Sequence, residues 1–296
     1  MLHRYKNGNA LINIDNDGSR VVEYEDTLQL DYPLNIDIRV SNKCSFGYNP
    51  NTGKSFCSFC HESQRTDGSE CNYEQLKSKL SDLPKGIELA IGANQLTENL
   101  YEFLLWAKSK EYISNVTINQ GHLKRDLTMI KNAIDVGTIK GLGISYRGGL
   151  KWDIPSQILE YSNTVFHVIA GIDSFAEVEV LADMGVKKIL ILGEKNFGYN
   201  FGHVDLNSRK HREWFWWVHK LFSKFSVVSF DNLGLEQLKI NRFFMTKSWE
   251  VFNNGEHSLY INAVDGYFAP SSRSNDKTDW NEKDISEYFK NLEKNS

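Results

Sequence analysis

The chain has 296 residues, of which 41% are hydrophobic and 24% are charged, and its formal net charge is −4. This composition is typical of a globular protein and excludes a disordered tail, a collagen and a coiled coil. The slightly acidic balance supplies no overall basic field for a nucleic-acid backbone, so we do not expect a nucleic-acid partner. The length allows two domains of average size or one α/β barrel.

The N-terminal part of the sequence predicts a small β-structure and no targeting segment. Two short runs at residues 10–14 and 21–24 flank an Asp-Gly turn, which predicts a β-hairpin within an N-terminal extension, residues 1–32. Residues 1–8 lack the apolar stretch of a signal peptide, and no window approaches 18 uninterrupted apolar residues. We therefore expect a cytoplasmic protein without a membrane partner.

From residue 33 onward, β-branched apolar runs alternate with amphipathic segments. The runs predict strands at residues 35–41, 87–92, 115–120, 141–145, 164–171, 188–193 and 226–230. The intervening segments predict helices at residues 73–83, 96–108, 127–134, 154–161, 175–184 and 211–222. Such alternation implies a parallel sheet with right-handed crossovers. We expect an α/β fold, namely a partial (βα)6-type TIM barrel over residues 33–231.

The C-terminal residues 232–296 are less regular. An alternating run at residues 258–264 predicts a strand, and residues 280–292 predict a helix. We expect this part to form a C-terminal extension that caps the barrel. Residues 271–274 are interpreted as a solvated loop, with a lid over the barrel mouth as the alternative. Helical spacing places Trp214 and Trp217 on one side and Trp216 elsewhere, and this aromatic cluster is interpreted as a core face, with a substrate platform as the alternative.

The cysteines indicate a metal site or a catalytic centre. All four, Cys44, Cys57, Cys60 and Cys71, lie close together in sequence, whereas a disulfide framework would spread over the elements it joins. Twelve residues separate the first two, and two residues separate the second from the third. Three thiolates of one loop can hold a metal or cluster and leave one position open. The spacing alone fits a four-cysteine zinc site and an iron–sulfur cluster equally well.

The position of this loop suggests a family. It follows the first strand of the predicted barrel, and an aromatic residue, Phe59, precedes the third cysteine. In these features the sequence resembles the radical S-adenosylmethionine (SAM) superfamily, whose members carry three cysteines after the first strand of a barrel. The common spacing there is three residues and then two, from which this chain departs by the insertion at residues 45–56. The resemblance covers residues 33–195 in organisation, and only the cysteine loop is specific.

The resemblance implies a cofactor set and a reaction. Cys44, Cys57 and Cys60 would bind three irons of a 4Fe-4S cluster, and the fourth iron would bind SAM. An electron from an external donor would lead to cleavage of SAM into a 5′-deoxyadenosyl radical. The radical would abstract a hydrogen atom from a bound substrate, for which a small molecule and a peptide are equally open.

The resemblance also implies contacts with SAM at the carboxyl ends of the strands, where barrel sites form. Phe59 would lie near the adenine. The run Gly92, Ala93 and Asn94 stands where the family usually has Gly-Gly-Glu, which contacts the methionine amino group. Polar contacts with SAM or the substrate would come from the ends of later strands, at Asn119, Ser145, Arg147 and Lys195.

Two alternatives remain open. The chain is a zinc-stabilised binding protein if all four cysteines form one structural site. It is a barrel without SAM-cleaving activity if Asn94 cannot replace the usual glutamate. In the cluster interpretation, Cys71 is a small buried hydrophobic residue.

Overall fold

The computed structural model describes residues 3–16, 20–147, 154–244 and 256–293. At its N-terminus, three antiparallel strands form a small sheet: β1 (His3–Asn7), β2 (Ala10–Ile14) and β3 (Arg20–Glu23). The predicted hairpin is confirmed, since β2 pairs with β3, and β1 adds a third strand. The tip of its turn, residues 17–19, lies outside the described residues. Arg20 pairs with Glu88 and joins this sheet to the rest of the fold.

The remaining strands form one large sheet and one small hairpin. In chain order they are β4 (Asn35–Arg39), β5 (Lys43–Asn49), β6 (Lys54–Ser55), β7 (Glu88–Asn94), β8 (Ile113–Asn119), β9 (Gly141–Ser145), β10 (Thr164–Ile169), β11 (Lys188–Leu192), β12 (Val227–Phe230), β13 (Ser258–Asn262), β14 (Tyr267–Ala269) and β15 (Thr278–Asp279). The hairpin is β5 with β6, and the other ten strands belong to the large sheet.

The large sheet is mostly parallel. Its strand order is β12-β11-β10-β9-β8-β7-β4-β13-β14-β15, and only β14 and β15 run antiparallel to their neighbours. Each of the seven strands predicted between residues 33 and 231 lies in the parallel part, so the α/β class is confirmed. Within the described residues no pairing joins the edge strands β12 and β15, and the sheet is not a closed barrel.

The C-terminal strand corrects one expectation. The run at residues 258–264 was expected to belong to a capping extension, but β13 pairs in parallel with β4, from Ser258 opposite Asn35 to Asn262 opposite Arg39. It therefore extends the main sheet on the far side of the first strand. Leu259 and Ile261 are almost fully buried in the core. Because strands inside a sheet are covered more completely than capping segments, the burial of these side chains agrees with the position of β13 between β4 and β14.

Eight α-helices occur in the described part of the chain: α1 (Tyr73–Leu80), α2 (Glu98–Ser109), α3 (Leu123–Val136), α4 (Ser156–Glu160), α5 (Phe175–Asp183), α6 (Arg209–Trp217), α7 (Asn232–Leu238) and α8 (Ile285–Glu293). Local signals set their ends. Thr97 caps α2, and Ser174 begins α5 with a capping box to Glu177. Gly137 ends α3 at φ 75°. Of these described helices, none is both long and apolar enough to cross a bilayer.

The two faces of the parallel strands differ in chemistry. In β4, Ile36 and Ile38 are buried in the hydrophobic core with helix residues such as Leu80 and Phe103. The alternating residues Asp37 and Arg39 face the other way. Since successive side chains of a strand point to opposite faces, the helices cover the apolar face and leave a polar face for a cavity.

Candidate functional site

A cavity of about 400 Å³ lies on the polar face of the main sheet. Seven adjacent parallel strands, from β11 through β4 to β13, contribute to its wall, and the cysteine loop covers part of it. This face of the sheet therefore curves around the cavity. The volume lies within the range of small-molecule sites, about 300–1,000 Å³.

The cavity brings together the candidate site residues that the sequence indicated. All eleven contribute to its wall: Cys44, Cys57, Phe59, Cys60, Gly92, Ala93, Asn94, Asn119, Ser145, Arg147 and Lys195. They come from the cysteine loop and from the carboxyl ends of β7, β8, β9 and β11 or the residues just after these strands. Because the strands are parallel, these ends meet at one edge of the sheet.

The insertion between the first two cysteines is a β-hairpin. Tyr48 pairs with Ser55 in β5 and β6, and the turn closes through a hydrogen bond from the Gly53 amide to the Asn49 carbonyl, 2.9 Å. The Phe56 amide donates to the carbonyl of Phe46 at 3.2 Å. A hairpin returns the chain to its starting point, so the long spacing still brings Cys57 back beside Cys44.

The three loop thiols share one buried environment. Burial raises the pKa of Cys44 to about 11, and the nearby thiols of Cys57 and Cys60 contribute to the shift. Burial also raises the pKa of Cys57, against the opposing charge of Arg147, and the pKa of Cys60. The thiols therefore hold their protons until a cation replaces them. Among the described residues, no three His, Cys, Asp or Glu side chains are grouped as ligands of one metal ion.

Cys71 is separate from the other cysteines. Its side chain packs in the hydrophobic core with residues such as Leu76, and it is absent from the cavity wall. Burial raises its pKa to about 12, with a further contribution from Glu70. This position agrees with the interpretation of Cys71 as a buried apolar residue and does not fit a four-cysteine site.

Asn94 occupies a distorted end of β7. The register with β8 shifts between Gly92 and Asn94, and Asn94 has φ 61°, a conformation that asparagine adopts more readily than most residues. His122 Nδ1 donates to its backbone carbonyl at 2.8 Å. The side-chain amide of Asn94 donates to the Lys43 carbonyl at 3.4 Å, and this hydrogen bond connects β7 to the cysteine loop. The contact with His122 had no signal in the sequence.

Arg147 places a positive charge at the cysteine loop. Its guanidinium lies over the ring of Phe59, 5.0 Å from the centroid, and it donates to the Tyr146 carbonyl. Its backbone amide donates to Gln120 Oε1 at 3.2 Å, which fixes the strand end. The residues that follow, 148–153, lie outside the described part. The cation–aromatic pair forms one wall between the loop and β9.

A cluster of charges follows the third cysteine. Glu62 forms an ion pair with Arg39 at 3.1 Å, and its carboxylate also lies 3.2 Å from His61 Nε2. Burial opposes ionisation of Glu62, but its hydrogen bond and charge interactions with His61, together with the charge of Arg39, outweigh burial and lower its pKa. Lys195 Nζ lies 3.4 Å from His61 Nε2 and 3.3 Å from Ser272 Oγ. Ser272 thus reaches the cavity wall, although residues 271–274 were interpreted as a solvated loop.

Several residues of the cavity wall were not expected from the sequence: Asp37, Arg39, Glu62, Thr117, His167 and Tyr260. For β4 a signal was available. Parallel strands are usually apolar on both faces, whereas Asp37 and Arg39 alternate with isoleucines, which indicates a polar interior. For Tyr260 no local signal exists, since its place depends on the pairing of β13 with β4.

Comparison with known proteins adds no assignment. No protein-family model matches the chain, and no curated protein matches it either.

Proposed function

We propose that the chain is a radical SAM enzyme built on a partial barrel, with one 4Fe-4S cluster. One observation carries the proposal. The three loop cysteines, which follow the first parallel strand, line the same cavity as residues from the carboxyl ends of the succeeding strands. The curvature of the sheet around this cavity supports a partial barrel. Enclosed thiols also fit the cytoplasmic location expected from the sequence, where cysteines stay reduced.

The arrangement of donors suits a cluster better than a zinc ion. A structural zinc site is closed by four protein ligands. Cys44, Cys57 and Cys60 line one cavity, whereas Cys71 packs in the core and does not supply a fourth thiolate there. Three thiolates leave the fourth iron open for a substrate or cosubstrate.

The chain's own residues would bind and orient the cofactors. Cys44, Cys57 and Cys60 would hold the cluster, and Gly92 permits close approach of SAM to β7 because it has no side chain. Phe59 and Arg147 offer a flat, positively charged wall for an aromatic or anionic group. When bound, the cluster and SAM supply a radical that abstracts a hydrogen atom, after an external donor has provided one electron.

Two polar strand ends complete the wall. Asn119 and Ser145 are opposite each other in β8 and β9, so their side chains reach the same part of the cavity. They would hydrogen-bond SAM or a substrate, which is a small molecule or a peptide. The enclosing strands would keep water away from a reactive species.

The test is iron and sulfide analysis of protein purified without oxygen. We expect about four irons and four sulfides per chain, with a brown absorbance that dithionite bleaches. Cys44→Ala, Cys57→Ala and Cys60→Ala should each lose the cluster, and the matched control Cys71→Ala should retain it. With SAM and dithionite, the loaded protein should release 5′-deoxyadenosine. One zinc and no iron per chain, or normal iron content in all three variants, would overturn the proposal.

A second candidate is a cluster-binding protein that does not cleave SAM. Asn94 favours it, because the usual glutamate is absent and the Asn94 backbone carbonyl already accepts a hydrogen bond from His122. This candidate predicts a full complement of iron, with no 5′-deoxyadenosine formed above a control without protein. The same preparation therefore separates the two functions.

A further inference from the structure

Two opposite charges on the cavity wall lack an ion-pair partner among the residues that the structure describes. Asp37 is surrounded by protein atoms but remains accessible to solvent through the cavity, and its one described hydrogen bond is a 3.5 Å contact from Asn35 Nδ2. Lys195 Nζ lies 3.4 Å from His61 Nε2, 3.3 Å from Ser272 Oγ and 5.8 Å from the centroid of the Phe197 ring, and none of these groups is a carboxylate. A carboxylate and an ammonium that both face one cavity can each form a charge-assisted hydrogen bond with a bound molecule, so this pair points to a ligand that supplies both partners.

The neighbouring charged side chains do not pair with Asp37 or Lys195, because they are engaged with one another. The carboxylate of Glu62 is already engaged by Arg39 and His61, at 3.1 and 3.2 Å. Arg39 is in turn held by Glu62, through both its carboxylate and its backbone carbonyl at 2.8 Å. Asp37 and Lys195 therefore remain as the unpaired anion and cation on this side of the cavity.

Asp37 and Lys195 are close enough to interact and too far apart to pair. Burial raises the pKa of Asp37 to about 6, and the charge of Lys195 opposes this shift. No ion pair joins the two side chains in the described structure. Asp37 in β4 and Lys195 in the segment after β11 both line the cavity, so the gap between them opens into it.

We propose that this gap binds a substrate that carries both an ammonium and a carboxylate group, an amino acid or a related zwitterion. The ammonium would lie at Asp37, and the carboxylate would lie at Lys195 with a hydrogen bond from the Ser272 hydroxyl. The inference rests on the proposed function, because it assigns the substrate of the same cavity. It moves Lys195 from the SAM contacts to the substrate contacts.

Titration calorimetry with simple zwitterions tests the subsite. The probes are the ω-amino acids from glycine to 6-aminohexanoate, each compared with the amine and the carboxylic acid of equal chain length. A charged hydrogen bond contributes about 1.5–3 kcal/mol, and 1.4 kcal/mol corresponds to a factor of ten. We therefore expect at least one zwitterion to bind about tenfold or more tightly than both of its singly charged counterparts. Equal affinities throughout the series would overturn the inference.

Near-isosteric variants localise the effect. Asp37→Asn and Lys195→Met should each weaken that zwitterion about tenfold or more, towards the affinity of the singly charged probes. Asp183→Asn and Lys187→Met change the same residue types at exposed positions and should leave the affinity unchanged. Circular dichroism and urea titrations establish that each variant is folded. Unchanged affinity in folded Asp37→Asn and Lys195→Met would contradict the proposal.

Two further measurements distinguish a failure of this inference from a failure of the proposed function. Iron analysis of the same preparation tests the proposed function, so a protein without iron that still binds the zwitterion refutes the cluster and leaves the subsite standing. SAM carries an ammonium and a carboxylate of its own. Saturating S-adenosylhomocysteine should therefore leave zwitterion binding in place. If S-adenosylhomocysteine displaces the zwitterion and binds about tenfold more weakly to Asp37→Asn, the subsite belongs to SAM and the substrate assignment is wrong.

Discussion

His167 should make the stability of the fold depend on pH in the mildly acidic range. Its imidazole projects from β10 into the cavity wall, where Gly143 leaves room for the ring. Burial, with a smaller contribution from the charge of Arg147, lowers its pKa from 6.5 to about 4. The folded protein therefore keeps this imidazole neutral at a pH at which the unfolded chain binds a proton.

The sign and size of the effect follow from linkage. Well above pH 6.5 the His167 imidazole is neutral in both the folded and the unfolded protein, so its protonation does not lower the free energy of unfolding. As the pH falls from about 6.5 to about 4, protonation of the unfolded chain removes up to about 3 kcal/mol, because one pKa unit corresponds to about 1.4 kcal/mol. At pH 5 the expected loss from this residue is about 2 kcal/mol.

Urea denaturation at pH 7 and pH 5 measures the free energy of unfolding for the wild type, His167→Gln and His167→Asn. The wild type should lose about 2 kcal/mol more than either variant between the two pH values, since the other titrating groups are common to all three. His203→Gln, a change at an exposed position, should behave like the wild type. Parallel losses in the wild type and both His167 variants would refute the reasoning.

Three further substitutions test the packing around the site and the helices. Gly143→Ala would place its Cβ 2.5 Å from Thr117 Oγ1 and 2.8 Å from His167 Cε1, so it should lower the free energy of unfolding by about 1–3 kcal/mol; an unchanged urea midpoint would contradict this. Phe103→Ala empties a fully buried position and should cost about 3–5 kcal/mol by urea denaturation, whereas a loss below 1 kcal/mol would mean that α2 packs differently. Ser174→Ala removes the cap of α5 and should lower the free energy of unfolding by about 1 kcal/mol. An unchanged midpoint of thermal denaturation would contradict this expectation.

The parallel strands and most helices were predictable because their signals are local. The seven apolar runs between residues 33 and 231 each became a parallel strand, and β9 has the predicted bounds. Helix ends shifted by a few residues where capping decided them, as at Thr97 and Gly137. The clustering of cysteines was also visible, since it needs no knowledge of the fold.

Local periodicity failed where the helix itself changed. Trp214 and Trp217 were expected on one core face, yet Trp214 is fully buried and Trp217 is 45% exposed. Trp217 is the last residue of α6, and Val218 and Leu221 of the following 3₁₀ helix are fully buried on the core side instead. Trp217 instead packs against the Lys220 ammonium, 3.8 Å from its ring centroid.

The α/β class, the order of the parallel strands along the chain and the cysteine-rich loop after the first of them could all be derived from local sequence patterns. The tertiary structure alone decided that the insertion is a hairpin that returns Cys57 to Cys44, and that Cys71 packs elsewhere. It also decided that β13 joins β4, and that Asp37 and Lys195 share one cavity. The reason is physical. Periodicity records which face of an element is buried, whereas contacts between distant segments depend on strand order and register, which no local pattern contains.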